Sequence, residues 1–432
     1  MADVRTGGRY VGLLSGTSAD GIDAVLLEVQ EIRGSRWPDV QVEAFRCHPF
    51  PDDARERILA AASGRAGSPD LTRLRRDLGE WFGEAVGVLL EGAGVDASTV
   101  EAVGCHGQTV WHQPPEDGAP GSSLQLVDPS VLAAMAGIPV VHDFRSADLA
   151  AGGEGAPLVP WPDRILFSRP EESVALQNLG GMGNVTWLPP REVEDPPLAF
   201  DTGPANALLD VCAGLASGGR LRFDPDGAMA RAGTVDDALL DRLLGDPFFQ
   251  REPPRSTGRE RFGPELVRRL VQERGLMPGR PGAATEPGWN DLAATFAALT
   301  VESVARALER WVLPLGVDRV ILTGGGARNP VLEEGLRARL DPLPVETGRP
   351  ALGMDPDARE AAAFALLAWA FLRGVAGNVP RCTGAGRPAI LGSWTPAPTR
   401  SRPWPFAHGR PASGSEGHAF PTSAGARVPG AP

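Results

Sequence analysis

The amino-acid sequence predicts an α/β protein built as two lobes that face each other across a cleft. Two segments, residues 10–29 and 173–188, each have the pattern of a strand, a glycine-rich turn and a second strand. They are too different to form a sequence repeat, but they indicate duplicated architecture with one hairpin at the start of each lobe. The 432 residues suffice for two lobes that each bury a core.

Composition narrows the class of partner and the chemistry. A net charge of −12 at pH 7 argues against nucleic acid and anionic membranes as partners, because the long-range field would repel both. No lysine occurs in the sequence, so all 42 basic residues are arginine and the phosphate-binding lysine of Walker-type loops is missing. Any ATP chemistry must therefore rest on backbone N–H groups, Mg²⁺ and arginine.

Cysteine spacing and hydropathy bear on the compartment. Cys47, Cys105, Cys212 and Cys382 form no CxxC pair, so neither a zinc site nor a disulfide framework is indicated, and we expect buried reduced thiols. No apolar run approaches the roughly 18 residues of a membrane helix, and no signal peptide precedes the first strand. We therefore expect a cytoplasmic protein without a membrane partner.

The turn of the first hairpin has the residue types of a phosphate site. Two glycines let the backbone approach an anion, a threonine and a serine supply donors, and two aspartates can orient hydrated Mg²⁺. These residues are Gly16, Gly21, Thr17, Ser18, Asp20 and Asp23. An ordinary polar hairpin turn is the alternative.

Further elements of the first lobe follow in order. A third strand at 40–45 precedes a helix near Asp52 and a longer helix at 70–91, whose apolar residues recur at helical spacing. A strand at 100–105 then ends in polar residues, at the edge where open α/β sheets bind ligands. We take His106, Gln108 and Thr109 as cleft residues, with core packing as the alternative for the Cys–His pair.

A strand at 138–141 leads into a glycine-rich loop that contains Arg145. A guanidinium fork matches a planar carboxylate, so Arg145 is a candidate for binding an acidic substrate. The alternative is a surface arginine paired to Asp143 or Asp148.

The second hairpin turns at Gly180 and Gly181 and is followed by the string FDTGPAN. That strand breaks after Asp201, and the N-terminus of the next helix points into the same crevice. Asp201 is therefore the leading candidate for a catalytic base, with an Asx-type cap as the alternative.

The remaining chain holds an insertion, two helices and a glycine turn. Residues 218–263 have little periodicity apart from a short helix at 235–244, and a long amphipathic helix covers 290–311. A strand then enters a turn of three glycines, and a later helix opens near Asp357. The glycines are Gly324, Gly325 and Gly326. Residues after Trp394 lack an apolar period, and we expect disorder there.

Several of these motifs, in this order, resemble the anhydro-N-acetylmuramic acid kinases, a family of the actin, hexokinase and Hsp70 superfamily. They are SGTSADGID, CHGQTVWHQP, DFRSADLAAGGEGAPL, FDTGPAN, PPRSTGRERF and the GGG turn. Three positions depart from the family pattern: Ala19 replaces Leu, Ala205 replaces Gly and Arg255 replaces Lys. The resemblance implies a two-lobed actin-like, ribonuclease H-like fold with a central ATP and substrate cleft. It implies lobes at 1–170 and 171–395, before a tail at 396–432.

The resemblance also implies a function. An ATP-dependent kinase of this family opens the 1,6-anhydro ring of anhydro-N-acetylmuramic acid with water and phosphorylates O6, in peptidoglycan recycling. Asp201 would be the base, and Asp20 and Asp23 would bind Mg²⁺ through water. Residues assigned to ATP are Gly16, Thr17, Ser18, Ala19, Asp20, Gly21, Ile22, Asp23, Gly180, Gly181, Gly324, Gly325 and Gly326. Residues assigned to the sugar, whose lactyl group supplies a carboxylate, are His106, Gln108, Thr109, Arg145 and Glu360.

Two other functions fit the same pattern. One is a different sugar kinase of the superfamily, and the other is a non-catalytic sugar or nucleotide sensor on this fold. A sensor could lose its acidic residues, whereas Asp20, Asp23 and Asp201 are all present. A homodimer is implied by the family alone.

Overall fold

Two β-sheets of matching topology organise the chain. The computed structural model describes residues 6–16, 19–115, 119–280 and 282–398. Thr17 and Ser18 of the predicted phosphate turn lie outside the described residues, as does the predicted tail from residue 399 onward.

The first sheet contains seven strands. The elements of this part are, in chain order, β1 (Thr6–Ser15), β2 (Gly21–Glu31), β3 (Asp39–Pro49), α1 (Ala54–Ala62), α2 (Ser68–Ala93), β4 (Val100–Gln113), β5 (Ser122–Leu126), α3 (Pro129–Ala136), β6 (Val140–His142), α4 (Ser146–Ala150) and α5 (Pro160–Phe167). The antiparallel strands β3, β2 and β1 are followed by β4 and β6, which run parallel to β1, and β5 pairs with β4.

The second sheet repeats this order with five strands. Its elements and those that follow are β7 (Val174–Leu179), β8 (Met182–Leu188), β9 (Leu198–Pro204), α6 (Asn206–Ser217), α7 (Ala228–Ala232), α8 (Asp237–Leu244), α9 (Pro264–Glu273), α10 (Pro287–Ala307), β10 (Arg319–Thr323), α11 (Pro330–Leu340), β11 (Val345–Thr347), α12 (Gly348–Leu352), α13 (Arg359–Leu372), α14 (Pro380–Thr383) and β12 (Ser393–Thr395). Strands β9, β8 and β7 are antiparallel, and β10 and β11 continue parallel to β7. The matching sheets confirm the predicted two-lobed α/β fold. The residue boundaries of the lobes stay a prediction.

Helix α13 packs against the first sheet, although it follows the second sheet in sequence. Glycines make this contact possible, because a Cβ atom added at Gly12 would lie 1.9 Å from the carbonyl oxygen of Ala361. At Gly104 the corresponding distance to the oxygen of Phe364 is 2.0 Å. The chain then adds β12 antiparallel to β6, so its last described strand returns to the first sheet.

The middle of the molecule is a core shared by both sheets. Val25 and Leu27 of the first sheet and Leu176 and Ile321 of the second belong to one apolar cluster with α5 and α13. Inside it Arg359 donates from Nε to Oδ1 of Asp163 at 3.0 Å, and both side chains are buried. The contact joins α13 to α5 and helps to fix the two halves relative to one another.

Several local expectations need correction. The long helix ends at Ala307 and continues as a π-helical turn, Leu308–Val312, and the segment expected to hold one short helix contains both α7 and α8. Cys47 is exposed, because it lies on β3 at the edge of the sheet, whereas the other three cysteines are buried. Among the helices of the described residues, none has the length and apolar character to cross a bilayer.

Candidate active site

The first hairpin turn is held by Gln108, which lies inside β4, because this strand continues to Gln113 and does not end at residue 105 as expected. Ser15 donates from Oγ to Oε1 of Gln108 at 2.6 Å, and Gln108 donates from Nε2 to the carbonyl oxygens of Gly16 and Thr109, both at 3.2 Å. Ser15 and Gln108 are buried. Both N–H donors of the Gln108 amide are thus occupied by the protein, so this side chain positions the turn and has no donor left for a sugar.

Backbone geometry explains the other residues of this turn. Ala19 has φ of 53° and donates from its backbone N to the oxygen of Gly16 at 3.1 Å, which closes the turn. The side chains of Ala19 and Ile22 are buried, so only their backbone could face a phosphate. At Gly21 an added Cβ would lie 2.8 Å from the oxygen of His48, so packing against β3 already requires this glycine.

Carboxylates gather beside the turn. Asp23 is half-buried, and burial raises the pKa of its carboxyl to about 6, with Glu360, Asp357 and Asp355 adding to the rise. Asp20 is exposed, with Oδ1 at 3.7 Å from Nε of Arg55.

Asp20 and Asp23 have the donor chemistry of a magnesium site that a nucleotide completes. No cluster of three or more His, Cys, Asp or Glu side chains among the described residues could enclose a metal ion. Mg²⁺ commonly takes one or two carboxylates together with waters and substrate phosphates, so it needs no such cluster. The two carboxylates fit that arrangement.

Arg145, which is half-buried, contacts the buried side chain of His106 in the middle of β4. Arg145 donates to Nε2 of His106 from Nε at 3.2 Å and from Nη2 at 2.9 Å, and from Nη1 to the oxygen of Gly155 at 2.7 Å. Burial and the neighbouring guanidinium hold the pKa of His106 well below its usual value, so the imidazole is neutral. Its Nδ1 must then carry the proton that is donated to the oxygen of Gly107 at 3.1 Å.

The alternative partners of Arg145 are engaged elsewhere. Asp143 accepts a hydrogen bond from Oγ of Ser146 at 2.6 Å. Asp148 is fully buried and accepts from the backbone N of Gly155 at 2.9 Å, from Nδ2 of Asn378 at 2.7 Å and from Oγ1 of Thr383 at 2.8 Å. Asp148 therefore folds the glycine loop and ties it to the end of the chain.

Thr109 and Glu360 lie around this pair. Thr109 is half-buried, and its Oγ1 accepts from Nε2 of Gln125 at 3.5 Å. Glu360 is exposed in the first turn of α13, and its charge raises the pKa values of both Asp23 and Arg145. Glu360 thus lies near both the phosphate turn and Arg145.

Asp201 lies on β9, the edge strand of the second sheet. Its Oδ2 accepts from the backbone N of Thr257 at 2.9 Å, and its own backbone N donates to the oxygen of Arg255 at 3.0 Å. Burial raises the pKa of this carboxyl to about 7, Glu154 and Glu260 raise it further, and the Thr257 N–H and Arg255 oppose the rise. The group titrates in the range that suits a general base at neutral pH.

The turn of the second hairpin closes the start of α6. The carbonyl oxygens of Gly180 and Gly181 accept from the backbone N of Asn206 at 2.9 Å and from those of Ala205 and Ala207 at 3.0 Å. These N–H groups are therefore unavailable to an anion, which corrects the expectation that the helix N-terminus serves the crevice. Ala205 has φ of −113° and ψ of −98°, and its side chain is buried.

The glycine turn after β10 lies against the second hairpin. An added Cβ would lie 2.4 Å from Oδ1 of Asn178 at Gly324 and 2.8 Å from Cβ of Leu179 at Gly326, whereas Gly325 faces open space. Two of the three glycines thus allow close packing, and the middle one leaves room for a ligand.

Contacts between loops of the two halves link these groups. Glu154 of the glycine loop accepts from Oγ of Ser256, the neighbour of Thr257, at 3.5 Å. On the other side, Arg328 lies 2.7 Å from Asp357, one turn before Glu360. The phosphate turn, the Arg145 pair, Asp201 and both later glycine turns are therefore linked by short chains of contacts.

The family model described as anhydro-N-acetylmuramic acid kinase matches residues 8–397. This chain belongs to the anhydro-N-acetylmuramic acid kinase family. The resemblance inferred from the motifs is confirmed, and with it the enzyme class. As a kinase of this family the chain uses ATP and a sugar as its small-molecule substrates.

Relatives named anhydro-N-acetylmuramic acid kinase match almost end to end. The protein from Gloeobacter violaceus is 43% identical over 388 residues, which cover 90% of this chain and 98% of the relative. Those from Caldanaerobacter subterraneus and Salinibacter ruber are 39% and 43% identical, and they cover 88% and 89% of this chain and 95% of each relative.

Sequence reasoning missed three residues of the candidate site. Asp148 appeared only as a possible partner of Arg145, Arg255 only as a departure from the family, and Glu154 not at all. The signal for each of the three was a charged side chain inside an otherwise apolar or glycine-rich motif. Burying a charge is costly unless a partner compensates it.

Proposed function

We propose that this enzyme transfers the γ-phosphoryl group of ATP to O6 of 1,6-anhydro-N-acetylmuramic acid as water opens the anhydro bridge. The products are N-acetylmuramic acid 6-phosphate and ADP, and the reaction serves peptidoglycan recycling. The observation that carries the proposal is Asp201, a half-buried residue at the edge of the second sheet, where burial raises the pKa of the carboxyl to about 7.

Asp201 acts as the general base. Thr257 occupies Oδ2, and among the described residues no hydrogen-bond donor contacts Oδ1, which can accept a proton from water. The water oxygen bonds to the anomeric carbon, the bond from that carbon to O6 breaks, and O6 attacks the γ-phosphorus as ADP leaves. The proton from water stays on Asp201 until the product departs.

Arg145 and Glu360 orient the sugar. Three of the five N–H groups of Arg145 contact His106 and Gly155, which leaves two for the lactyl carboxylate. Burial lowers the pKa of Arg145 only to about 10, so the guanidinium keeps its charge at neutral pH.

ATP binds between the two hairpins. The phosphates lie beside the first hairpin turn, next to Gly16, Asp20 and Asp23, and the adenosine lies against Gly325, which has open space beside it. Asp20 and Asp23 would hold Mg²⁺, and the ion would supply charge neutralisation for the triphosphate. A reaction that consumes ATP belongs in the cytoplasm, where we propose that the enzyme works. Assembly as a homodimer stays a prediction.

The test is a coupled assay for ADP release with three acceptors: the anhydro sugar, open N-acetylmuramic acid and glucose. We expect turnover with the anhydro sugar and its 6-phosphate as product by mass spectrometry. Turnover only with the other two sugars would identify a different sugar kinase. Binding of anhydro sugar without ADP release would favour a sensor.

A further inference from the structure

Two hydrogen bonds join Arg255 to Asp201. Each residue donates one of them to the backbone carbonyl oxygen of the other. The guanidinium donates from Nε to the carbonyl oxygen of Asp201 at 3.0 Å, and the backbone N of Asp201 donates to the carbonyl oxygen of Arg255 at 3.0 Å. Two residues further along, Thr257 donates to the Asp201 carboxylate at 2.9 Å. One short segment thus holds both the backbone and the side chain of Asp201.

The rest of the Arg255 side chain is enclosed by the protein. It is 4% exposed, and Nη1 donates to the carbonyl oxygens of Arg251 at 2.9 Å, Phe249 at 3.2 Å and Phe248 at 3.4 Å. The guanidinium also lies 4.9 Å from the ring of Phe248 and 5.2 Å from that of Phe200. These contacts fix the charge in one position.

Arg255 donates to the backbone of Asp201 and not to its carboxylate. It lines a cavity of about 350 Å³ together with Ser303, Arg306 and Arg310, and none of the residues assigned to ATP or the sugar lines that cavity.

We propose that Arg255 is a positioning residue that fixes Asp201 in β9 and favours the carboxylate form of its side chain. The inference rests on the proposed function, in which Asp201 is the base. Nothing in it requires Arg255 to touch the substrate.

The charges around Asp201 give the sign of the effect. Arg255 lowers the pKa of Asp201, whereas Glu154, on the glycine loop, and Glu260 raise it, and burial raises it most. Loss of the guanidinium charge would therefore raise a pKa that is already about 7, and less of the base would be ionised at neutral pH.

The experiment compares the pH dependence of kcat/KM in the parent, Arg255→Gln and Arg255→Lys. For Arg255→Gln we expect the acid limb to move up by about one pH unit, with activity largely recovered above it. Arg255→Lys keeps the charge, so its limb should stay with that of the parent. Arg310→Gln is the matched control, because Arg310 lines the same cavity and bonds to Gln250, away from Asp201.

A second readout separates this inference from the proposed function. Titration of the Asp201 carboxyl by ¹³C NMR without substrates should show the same rise in Arg255→Gln, whether or not the sugar assignment is right. An unchanged titration with a uniform loss of activity would overturn the proposal. If Arg255→Gln is too unstable to titrate, Arg255→Lys decides, since a shifted acid limb in that variant would also overturn it.

Discussion

At Asp201, burial opposes ionisation while the Thr257 N–H favours it, and the carboxyl titrates near pH 7. Asp201→Asn keeps the size of the side chain but cannot accept a proton from water. We expect turnover to fall by about 10²- to 10⁴-fold, the usual loss for a general base, with ATP affinity nearly unchanged. The coupled assay and calorimetric titration of ATP measure the two effects. Near-normal turnover would remove Asp201 from this role.

Glu154 offers a change of opposite sign to that expected for Arg255. Its negative charge raises the pKa of Asp201, so Glu154→Gln should lower that pKa and move the acid limb of kcat/KM to lower pH. Ser256→Ala is the matched control, because it removes the 3.5 Å contact and keeps the carboxylate charge. An acid limb of kcat/KM that moves to higher pH in Glu154→Gln would contradict this account. An equal shift in Glu154→Gln and Ser256→Ala would contradict it as well.

Candidate functional residues could be predicted from the motifs, but their hydrogen-bond partners could not. Asp201 stood out because its strand was expected to break directly after it, although β9 continues to Pro204, and Arg145 stood out because a guanidinium fork matches a carboxylate. Gln108 looked equally polar, yet it holds the Gly16 turn, and Asp148 looked like an ion-pair partner, yet it accepts three neutral donors. Which donor meets which acceptor depends on contacts between segments as much as 235 residues apart, and local spacing carries no such information.

At the scale of elements, α13 shows what periodicity can and cannot predict. Its sequence, REAAAFALLAWAFL, is apolar on almost every face, which indicates a helix buried on several sides. The pattern does not say which sheet it packs on. That is decided by Gly12 and Gly104, which let the helix approach β1 and β4 more closely than a side chain would allow.

The contact predicts a strong effect of a small change. In Gly104→Ala the added Cβ would lie 2.0 Å from the oxygen of Phe364, so α13 must move, and Glu360 in its first turn moves with it. We expect a loss of at least about 1–3 kcal/mol in the free energy of unfolding, as for an overpacked core, and a higher KM for the sugar.

Gly87→Ala on α2 is the control for that variant. No atom lies within 4 Å of the Cβ that it would add, and a solvent-exposed helical Gly→Ala change should stabilise by up to about 1 kcal/mol. Urea unfolding and substrate titration measure the effects. Equal stability of the two variants would contradict the close packing of α13.

The pair between α13 and α5 gives a further prediction. Asp163→Asn would leave the buried Arg359 guanidinium without its counter-charge, which typically costs about 3–5 kcal/mol. Arg328→Ala breaks the exposed pair with Asp357 and should cost at most about 1 kcal/mol. Urea unfolding compares the stability of the two variants. Similar losses in the free energy of unfolding would show that the buried Arg359–Asp163 pair stabilises the fold no more than an exposed ion pair does.

At the scale of the whole molecule, the two sheets share a strand order but carry different candidate functional residues. Each sheet begins with a hairpin whose turn contains glycine, and this symmetry was predictable because strand–turn–strand patterns are local. The links across the cleft were not predictable, since Glu154 meets Ser256 and Arg328 meets Asp357 only after both sheets have formed. The sequence pattern therefore does not predict which residues join the two halves.

Charge on the whole molecule leads to a prediction about the metal. The chain carries a net charge of −12, and Asp20, Asp23, Asp357 and Glu360 add local negative charge beside the predicted phosphate turn. No lysine is present to offset a triphosphate, so ATP binding should depend on Mg²⁺. We expect calorimetric titration to show at least about tenfold weaker ATP binding in EDTA than in Mg²⁺, a difference of about 1.4 kcal/mol. Asp23→Asn should narrow that difference, whereas Asp357→Asn, which lies outside the turn, should preserve it. Equal affinity for ATP in EDTA and in Mg²⁺ would show that the protein alone neutralises the phosphates.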